Sequence, residues 1–358
     1  MNATPGTGVK PMGETPMPRG MSKKKSAKRN IGLFLLGVLL AGGFALYRFN
    51  ANLKPTEPGP AKLIRYEAKK ELSTVLSDLQ ERGVIRSAAA IGLYARIKKK
   101  GIVVEAGTYS VSPGMTADEV LQSLRTPVTV KVIVPEYLWI AETAERMESA
   151  NVATAADFIS LANKPRDFAK TVTFPLPQHS LEGYLFPDTY KMQPLVGAKV
   201  AIEQQLEAFD KKVWKALDKP KNLNRAIIIA SMVEREAKLD EDRPLIAGIL
   251  ENRLARNMPL EVDATVLYAQ QRWHVPKRSD IKNTISPYNT YLNKGLPPGP
   301  ICSPGLKSIK AALSPKKTDY LYYVGMPDGR TLYAKTLAEH QANVAKRRRA
   351  LRRAKVRG

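Results

Sequence analysis

The stretch RAIIIASMVEREAK, residues 225–238, is the segment around which this chain is expected to fold. Its residues from Ala226 to Val233 are apolar around the whole circumference of a helix, which is typical of a buried helix. Glu234, its first acidic residue, lies one turn below Ala230, where the buried face ends. A carboxyl in such a half-apolar setting is expected to have a raised pKa, which suits a general acid near neutral pH.

A second carboxyl follows two residues later on the same helix. Glu236 lies about 200° further around the helix, at 100° per residue, so the two side chains point in different directions. Helical spacing does not choose between them as an acid/base group. A solvated ion pair of Glu234 with Lys238, four residues on, is a structural alternative to a chemical role.

Hydrophobic periodicity predicts short helices and strands on both sides of this stretch. A capping box at residues 116–119 marks the start of one helix. A Pro-, Gly- and Tyr-rich region after residue 256 is predicted to be mostly loop, and a basic helix ends the chain. The predicted strands are 63–68, 107–111, 128–134, 320–324 and 331–334, and the predicted helices are 72–82, 87–98, 117–124, 140–148, 155–163, 198–217, 224–238 and 244–256.

Charge is concentrated at the two ends of the chain. The formal net charge is +24, of which residues 1–30 carry +6 and residues 341–358 carry +8, leaving +10 for the body. This positive charge favours attraction to an anionic polymer or membrane surface without specifying a partner. The single cysteine, Cys302, excludes an internal disulfide, and the three widely spaced histidines form no short metal motif, so no metal or other cofactor is indicated.

An uncharged run of 17 residues, 31–47, is long enough to cross a bilayer. Five basic residues between Lys23 and Arg29 precede it, so the positive-inside rule places the N-terminus in the cytoplasm. A cleaved signal peptide is less consistent, because no small-residue cleavage site follows Tyr47. The prediction is a single-pass type II protein of the cell (inner) membrane, with its catalytic domain on the extracytoplasmic, periplasmic side.

Several blocks, in order along the chain, resemble the MltG/YceG family of endolytic murein transglycosylases. They include LEGYLFPDTY at 181–190, ASMVERE at 230–236, NRL at 252–254 and SPYNTY at 286–291 with GLPPGPI at 295–301. Tyr320–Val324 and the pair Glu339-His340 complete the set. The chain departs from the family pattern at four positions: Tyr137, Glu261, Ala264 and Thr331.

The resemblance implies an α+β fold with a single N-terminal transmembrane helix, a small LysM-like β-α-α-β-α subdomain and a larger mixed α/β catalytic domain. The implied organisation is a basic cytoplasmic tail, a transmembrane helix, a linker, the LysM-like subdomain, the transglycosylase domain and a basic C-terminal tail. Their predicted ranges are 1–30, 31–47, 48–61, 62–126, 127–340 and 341–358.

The resemblance also implies a lyase reaction with Glu234 as the catalytic acid/base. Glu234 would protonate the oxygen between N-acetylmuramic acid and N-acetylglucosamine, then take the proton of the muramic acid 6-hydroxyl as a 1,6-anhydro ring closes. No cofactor is needed. The predicted substrate-binding residues offer aromatic faces, amides and carboxyls for a sugar chain: Glu182, Tyr184, Asn252, Asp263, Thr265, Tyr288, Asn289 and Tyr291.

Each of these residues also has a structural alternative. The tyrosines suit loop packing, Asp263 and Thr265 suit the start of a helix, and Glu182 is the main competitor for the acid/base role. The implied partners are peptidoglycan glycan strands, penicillin-binding proteins and other cell-wall synthesis proteins.

Two rival functions remain open from the sequence. A non-catalytic cell-wall-binding scaffold would use the LysM-like unit and yield no anhydro product. A nucleic-acid binder would require a cytoplasmic location, and the chain lacks a recognised nucleic-acid motif, so no nucleic-acid partner is predicted.

Overall fold

The computed structural model describes residues 23–275 and 277–357, with side-chain surroundings for 29–275 and 277–353. Residues 1–22 of the predicted cytoplasmic tail lie outside these ranges. The described chain contains helices and small antiparallel sheets and has a mixed α and β fold, as predicted. Its described residues divide into two compact units, the first formed by residues 23–60, 71–102 and 112–121 and the second by residues 61–70, 103–111, 122–275 and 277–357.

The first unit begins with a long helix, α1 (Lys23–Leu53). Its segment Arg29–Leu53 is apolar and long enough to cross a membrane, about 38 Å at 1.5 Å per residue. Side chains over residues 29–48 are exposed, whereas those of residues 51–53 are partly buried. This helix extends beyond the predicted 31–47 run at both ends.

Two short helices, α2 (Leu72–Glu81) and α3 (Ala88–Ile97), pack together in the first unit. Leu76 of α2 contacts the face of α3 at Gly92, where an added Cβ would meet its Cδ1 at 3.8 Å. Ser87 caps α3 by accepting a hydrogen bond from the N–H of Ala90, as expected of a serine at this position. The predicted capping box is confirmed, because Thr116 and Glu119 exchange hydrogen bonds at the start of α4 (Ala117–Ser123).

In the part of the second unit that the structure describes, three strand pairs have an antiparallel register. Strand β1 (Lys62–Tyr66) pairs with β4 (Gly107–Val111), β5 (Val130–Val134) pairs with β6 (Asp188–Met192), and β7 (Tyr322–Gly325) pairs with β8 (Thr331–Ala334). The two-residue strands β2 and β3 are Lys70–Glu71 and Val103–Val104.

Nine α-helices make up most of the second unit among the described residues. Three single-turn segments, at Pro165–Phe168, Asp210–Lys215 and Asp240–Asp242, join some of them. The helices are α5 (Ile140–Ser149), α6 (Ala155–Ala162), α7 (Ala198–Phe209), α8 (Leu223–Glu236), α9 (Arg243–Ala255), α10 (Asp263–Ala269), α11 (Arg278–Asn283), α12 (Leu306–Leu313) and α13 (Leu337–Arg357).

Helix α8 lies in the core of the second unit, packed against α9, α10 and α12. Every residue from Ala226 to Val233 is buried, so the prediction of a helix buried on all sides is confirmed. Removing one of its isoleucine side chains, such as Ile227→Ala, would cost about 2–5 kcal/mol of stability. The helix therefore provides a rigid base for the residues at its C-terminal end.

Most predicted elements of the second unit are present, together with several that were not predicted. The predicted helix over 198–217 ends as an α-helix at Phe209 and continues as a π-helical turn. Strands β3 and β6 and helices α11 and α12 were not predicted, and α10 was anticipated only through the structural alternative for Asp263 and Thr265. All five elements are short, and the three helices lie in the Pro- and Gly-rich region interpreted as loop.

Candidate active site

Three consecutive side chains at the end of α8 point in three directions. Glu234 contacts Arg243 and the main chain of Gly305. The guanidinium carbon of Arg235 lies 3.5 Å from the ring centroid of Trp273. Glu236 contacts the hydroxyl of Tyr323. Because each residue of a helix is rotated by about 100° from the one before it, the two carboxyls lie in different surroundings.

The carboxyl of Glu234 forms a buried ion pair. Its Oε1 lies 2.9 Å from Nη1 of Arg243, and the two side chains are 6% and 14% exposed. Its Oε2 accepts a hydrogen bond of 2.8 Å from the N–H of Gly305. An added Cβ at Gly305 would meet Cγ of Glu136 at 2.7 Å, so a larger residue there would require the side chain of Glu136 to move. The half-apolar setting predicted for Glu234 is therefore wrong, and the observed partner is Arg243 rather than Lys238.

The carboxyl of Glu236 lines a cavity of ≈ 450 Å³. Its Oε2 accepts a hydrogen bond of 3.1 Å from the hydroxyl of Tyr323. The pKa of Glu236 is raised to about 7, chiefly by burial and then by the negative charge of Asp263, while the hydrogen bond from Tyr323 acts in the opposite direction. Glu236 can therefore carry or release a proton near neutral pH, the property required of a general acid and base.

Polar and aromatic side chains surround Glu236 in this cavity. The hydroxyl of Tyr291 donates a hydrogen bond of 2.6 Å to Asp263. Arg253 pairs with Glu261 at 2.8 Å, and its guanidinium carbon lies 4.9 Å from the ring centroid of Tyr322. The cavity is open on one side and its other lining residues include Arg235, Lys238, Leu260, Val324, Gly325, Thr331, His340, Val344 and Arg347.

Another buried carboxyl, that of Glu182, lines a separate cavity of ≈ 940 Å³ in the same unit. Glu182 is 4% exposed and accepts hydrogen bonds from the N–H of Ile140 at 3.1 Å and the hydroxyl of Tyr268 at 3.3 Å. Its pKa is raised to about 8, chiefly by burial. Gly183 has a φ of +81°, and an added Cβ would meet Pro300 at 2.6 Å, so the turn after Glu182 requires glycine.

The structure brings five of the predicted substrate-binding residues to the two cavities. Asp263 and Tyr291 line the cavity of Glu236. Glu182, Tyr184 and Tyr288 line the other. Tyr184 is fully buried and stacks with Phe174 and Phe209, so most of its side chain belongs to the core.

The other three predicted residues support the main chain or other side chains. The amide of Asn252 donates to the carbonyls of Thr318 and Tyr320. The side chains of Thr265 and Asn289 are fully buried; the hydroxyl of Thr265 donates to the carbonyl of Val262, the residue before α10, and the amide of Asn289 donates to the carbonyls of Ile281 and Thr284.

Sequence reasoning did not assign a site role to four residues that line the cavity of Glu236. These are Arg253, Glu261, Tyr322 and Tyr323. Arg253 and the two tyrosines lie within matching sequence blocks, and Glu261 lies at a position where the chain departs from the family pattern. The departure at Glu261 could have indicated a site role for this residue, because its carboxyl pairs with Arg253.

The fold and the site together define a mixed α/β protein with one apolar N-terminal helix and a cavity lined by carboxyls and tyrosines. A model of the YceG-like family matches residues 64–346, most of the chain. The chain belongs to the YceG-like family.

Named relatives and a solved structure agree with this membership. The chain is 32% identical over 327 residues to the endolytic murein transglycosylase of Bacillus subtilis strain 168, covering 84% of this chain and 89% of the relative. It is 30% identical over 351 residues to that of Streptococcus pneumoniae serotype 2 strain D39, covering 87% of this chain and 64% of the relative. The chain thus spans 64% of the length of this pneumococcal relative.

A crystal structure of a YceG-like protein from Listeria monocytogenes, solved at 2.6 Å, is similar in fold. The TM-score is 0.53 at 30% sequence identity, over 79% of this chain and 98% of the Listeria chain.

Proposed function

We propose that this protein is an endolytic peptidoglycan transglycosylase, which cleaves the bond between N-acetylmuramic acid and N-acetylglucosamine and leaves a 1,6-anhydro end. The observation that carries the proposal is a carboxyl with a pKa of about 7 in an open cavity, on the helix that holds the core of a YceG-like chain. The names of the relatives support the choice of substrate.

Glu236 performs the proton transfers in this mechanism. In its protonated form it donates to the glycosidic oxygen while the bond from that oxygen to C1 of the muramic acid breaks. The resulting carboxylate then removes the proton of the 6-hydroxyl, whose oxygen bonds to C1 and closes the anhydro ring. Water is not consumed and no cofactor takes part. The negative charge of Asp263 helps to keep the first proton on Glu236 until it is needed.

The choice of Glu236 over Glu234 rests on access and on partners. Glu236 lines a cavity that a sugar can enter. Glu234 has both oxygens occupied, one by Arg243 and one by Gly305, and its side chain is 6% exposed. The sequence-based assignment to Glu234 is the alternative, and replacing each residue separately distinguishes the two.

The predicted substrate residues take two roles in this proposal. Asp263 and Tyr291 contact the sugar beside Glu236, and Glu182 and Tyr288 bind a more distant part of the strand. Tyr184, Asn252, Thr265 and Asn289 act indirectly, by holding the cavity walls: Tyr184 donates its hydroxyl to the side-chain oxygen of Asn224, and the other three form the hydrogen bonds described above.

Anchoring and domain organisation extend the proposal. Helix α1 spans the cytoplasmic membrane in type II orientation, with the basic tail inside and residues 62–126 and 127–340 outside as LysM-like and transglycosylase domains. The apolar character of Arg29–Leu53 and the basic residues before it support this topology. On the outer face the enzyme trims nascent strands beside penicillin-binding proteins.

Digestion of purified glycan strands by the full chain, followed by mass spectrometry, tests the reaction. Anhydro-ended fragments of internal cleavage are expected from the unchanged protein, and none from Glu236→Gln. Reducing ends in place of anhydro ends would indicate hydrolysis and contradict the mechanism. Absence of any product would favour the cell-wall-binding scaffold instead.

A reporter fused after Gly358 tests the topology. A phosphatase that is active only outside the cytoplasm is expected to be active in this fusion. Activity of a reporter that works only inside the cytoplasm would contradict the orientation.

A further inference from the structure

One face of α3 is exposed and apolar although the helix packs well on its opposite face. Leu93 and Ile97, one helical turn apart, are 49% and 62% exposed. Ala89, a further turn back, is also exposed. The opposite face carries Ala90, Ile91 and Ala95, which are buried. The helix therefore has two apolar faces, of which α2 covers one.

Basic residues border the exposed face at its C-terminal end. Arg96, Lys98 and Lys99 are all exposed. Lys100 pairs with Asp118, and among the ion pairs of the described residues none involves the three exposed cations. Apolar side chains flanked by cations are the pattern of a helix that lies in a membrane interface.

The N-terminal end of α3 lies beside the end of α1. Arg86, two residues before α3, donates a hydrogen bond of 3.3 Å to the carbonyl of Pro55, two residues after α1 ends. Thr56 donates to the carbonyl of Val84 at 3.0 Å and accepts from the N–H of Gly114 at 3.1 Å. Helix α1 also packs against α3. The chain leaving α1 is thus held to the first unit rather than separated from it by a free linker.

We propose that the exposed face of α3, residues Ala89, Leu93 and Ile97 with Arg96, Lys98 and Lys99, lies in the headgroup region of an anionic phospholipid bilayer, at the level where α1 leaves it. The apolar side chains enter the boundary of the acyl chains and the cations contact lipid phosphates. The inference rests on the proposed membrane anchoring by α1, and two observations select lipid as the occupant: the packing of α3 beside the end of α1 and the positive charge that borders the exposed face.

The surface also fixes the position of the first unit relative to the bilayer. With α1 as the only attachment, the first unit could tilt about the end of that helix. Contact through α3 adds a second attachment in the same unit. The first unit then has one defined side toward the membrane.

Spin labels on the full-length protein test this contact. Ile97→Cys carries the label on the proposed surface, and Ser77→Cys is the matched control, exposed on α2, the helix that packs on the opposite face of α3. The unchanged chain is the labelling blank, because its Cys302 is buried. Both labelled chains are reconstituted in vesicles of phosphatidylglycerol and phosphatidylcholine, and collisions of each label with dissolved oxygen and with a polar nickel chelate are compared.

The expected ratio of oxygen to nickel collisions is several-fold higher at position 97 than at position 77. In vesicles of phosphatidylcholine alone, or with Arg96→Glu and Lys99→Glu added, the ratio at position 97 should fall toward that at position 77. Equal ratios at both positions in the anionic vesicles would overturn the inference while leaving the anchor intact. Protection of the label at position 97 from the nickel chelate could instead be equal in every lipid and occur only at high protein density. That result would also overturn the inference and indicate a second copy of the chain as the occupant.

Flotation of the vesicles separates failure of the inference from failure of the anchor. A chain that does not float with vesicles contradicts the proposed anchoring and the inference with it. Neither result bears on the anhydro product, which is measured separately.

Discussion

Glu234 and Glu236 lie two residues apart at the end of α8, and both are largely withdrawn from water, but their partners differ. Glu234 meets a cation and a main-chain donor, Arg243 and Gly305. Glu236 meets a neutral hydroxyl, that of Tyr323, with the negative charge of Asp263 nearby and a cavity in front of it. The first arrangement holds the Glu234 carboxyl by an ion pair and a main-chain hydrogen bond, and the second keeps a proton available on Glu236 near neutral pH.

Under the proposed mechanism, the partners of a carboxyl, rather than its burial alone, separate the structural group from the one that transfers protons. Glu182 is an informative third case, because it is as buried as Glu234 but has only neutral donors. Its pKa is raised to about 8. The following substitutions test whether the partners of each carboxyl have these effects.

Removing the cation beside Glu234 should have the largest effect on stability. Arg243→Ala leaves a buried carboxylate without its partner, and we expect the free energy of unfolding to fall by about 3–5 kcal/mol. Chemical denaturation measures the change. Arg330→Ala is the control, since its ion pair with Asp328 is solvent-exposed and its loss should have little effect. Unchanged stability with lost activity would instead place the Glu234 pair in the reaction.

Replacing Glu182 should remove a pH-dependent loss of stability. A folded-state pKa of about 8 lies above the usual value near 4.5, so this group's contribution is complete below pH 4.5 and is lost as the pH rises through 8. Glu182→Gln, which resembles the protonated form, should be more stable than the unchanged protein at pH 8, by on the order of 1–3 kcal/mol. The difference should shrink steadily as the pH falls from 8 to 5 and vanish below pH 4.5. Denaturation curves at both pH values measure this, and a constant difference across pH would contradict it.

Two substitutions around Glu236 should shift the pH profile of activity in opposite directions. Tyr323→Phe removes a hydrogen bond that lowers the pKa of Glu236, so the loss of kcat/KM at alkaline pH should move upward. Asp263→Asn removes a negative charge that raises it, so the same limb should move downward. Each shift should be about half a pH unit to one unit. Shifts in the same direction would show that a different group limits the rate.

The sequence alone predicted the elements whose apolar residues recur with a clear helical or strand period. Helix α8 was predicted within two residues at each end, and the rotation between Glu234 and Glu236 was predicted correctly. What could not be predicted was the partner of each carboxyl. Arg243 lies nine residues from Glu234, and Tyr323 lies 87 residues from Glu236, so tertiary packing decides which carboxyl is paired and which faces the cavity.

The substrate residues show the same limit. Asp263 and Tyr291, 28 residues apart, were both predicted and are hydrogen-bonded to each other beside Glu236. Asn252 and Asn289 were predicted from the same kind of pattern but are used to hold main-chain carbonyls. An amide in a matching sequence block does not indicate whether it faces a cavity or a neighbouring loop.

A side-by-side measurement of turnover by Glu234→Gln and Glu236→Gln tests the central claim most directly. Both variants act on the same purified strands, at a temperature where circular dichroism shows each to be folded. We expect Glu236→Gln to lose activity by about 10²–10⁴-fold and Glu234→Gln to lose less than about tenfold. A large loss with Glu234→Gln and near-normal turnover with Glu236→Gln would contradict the account and return the acid/base role to Glu234.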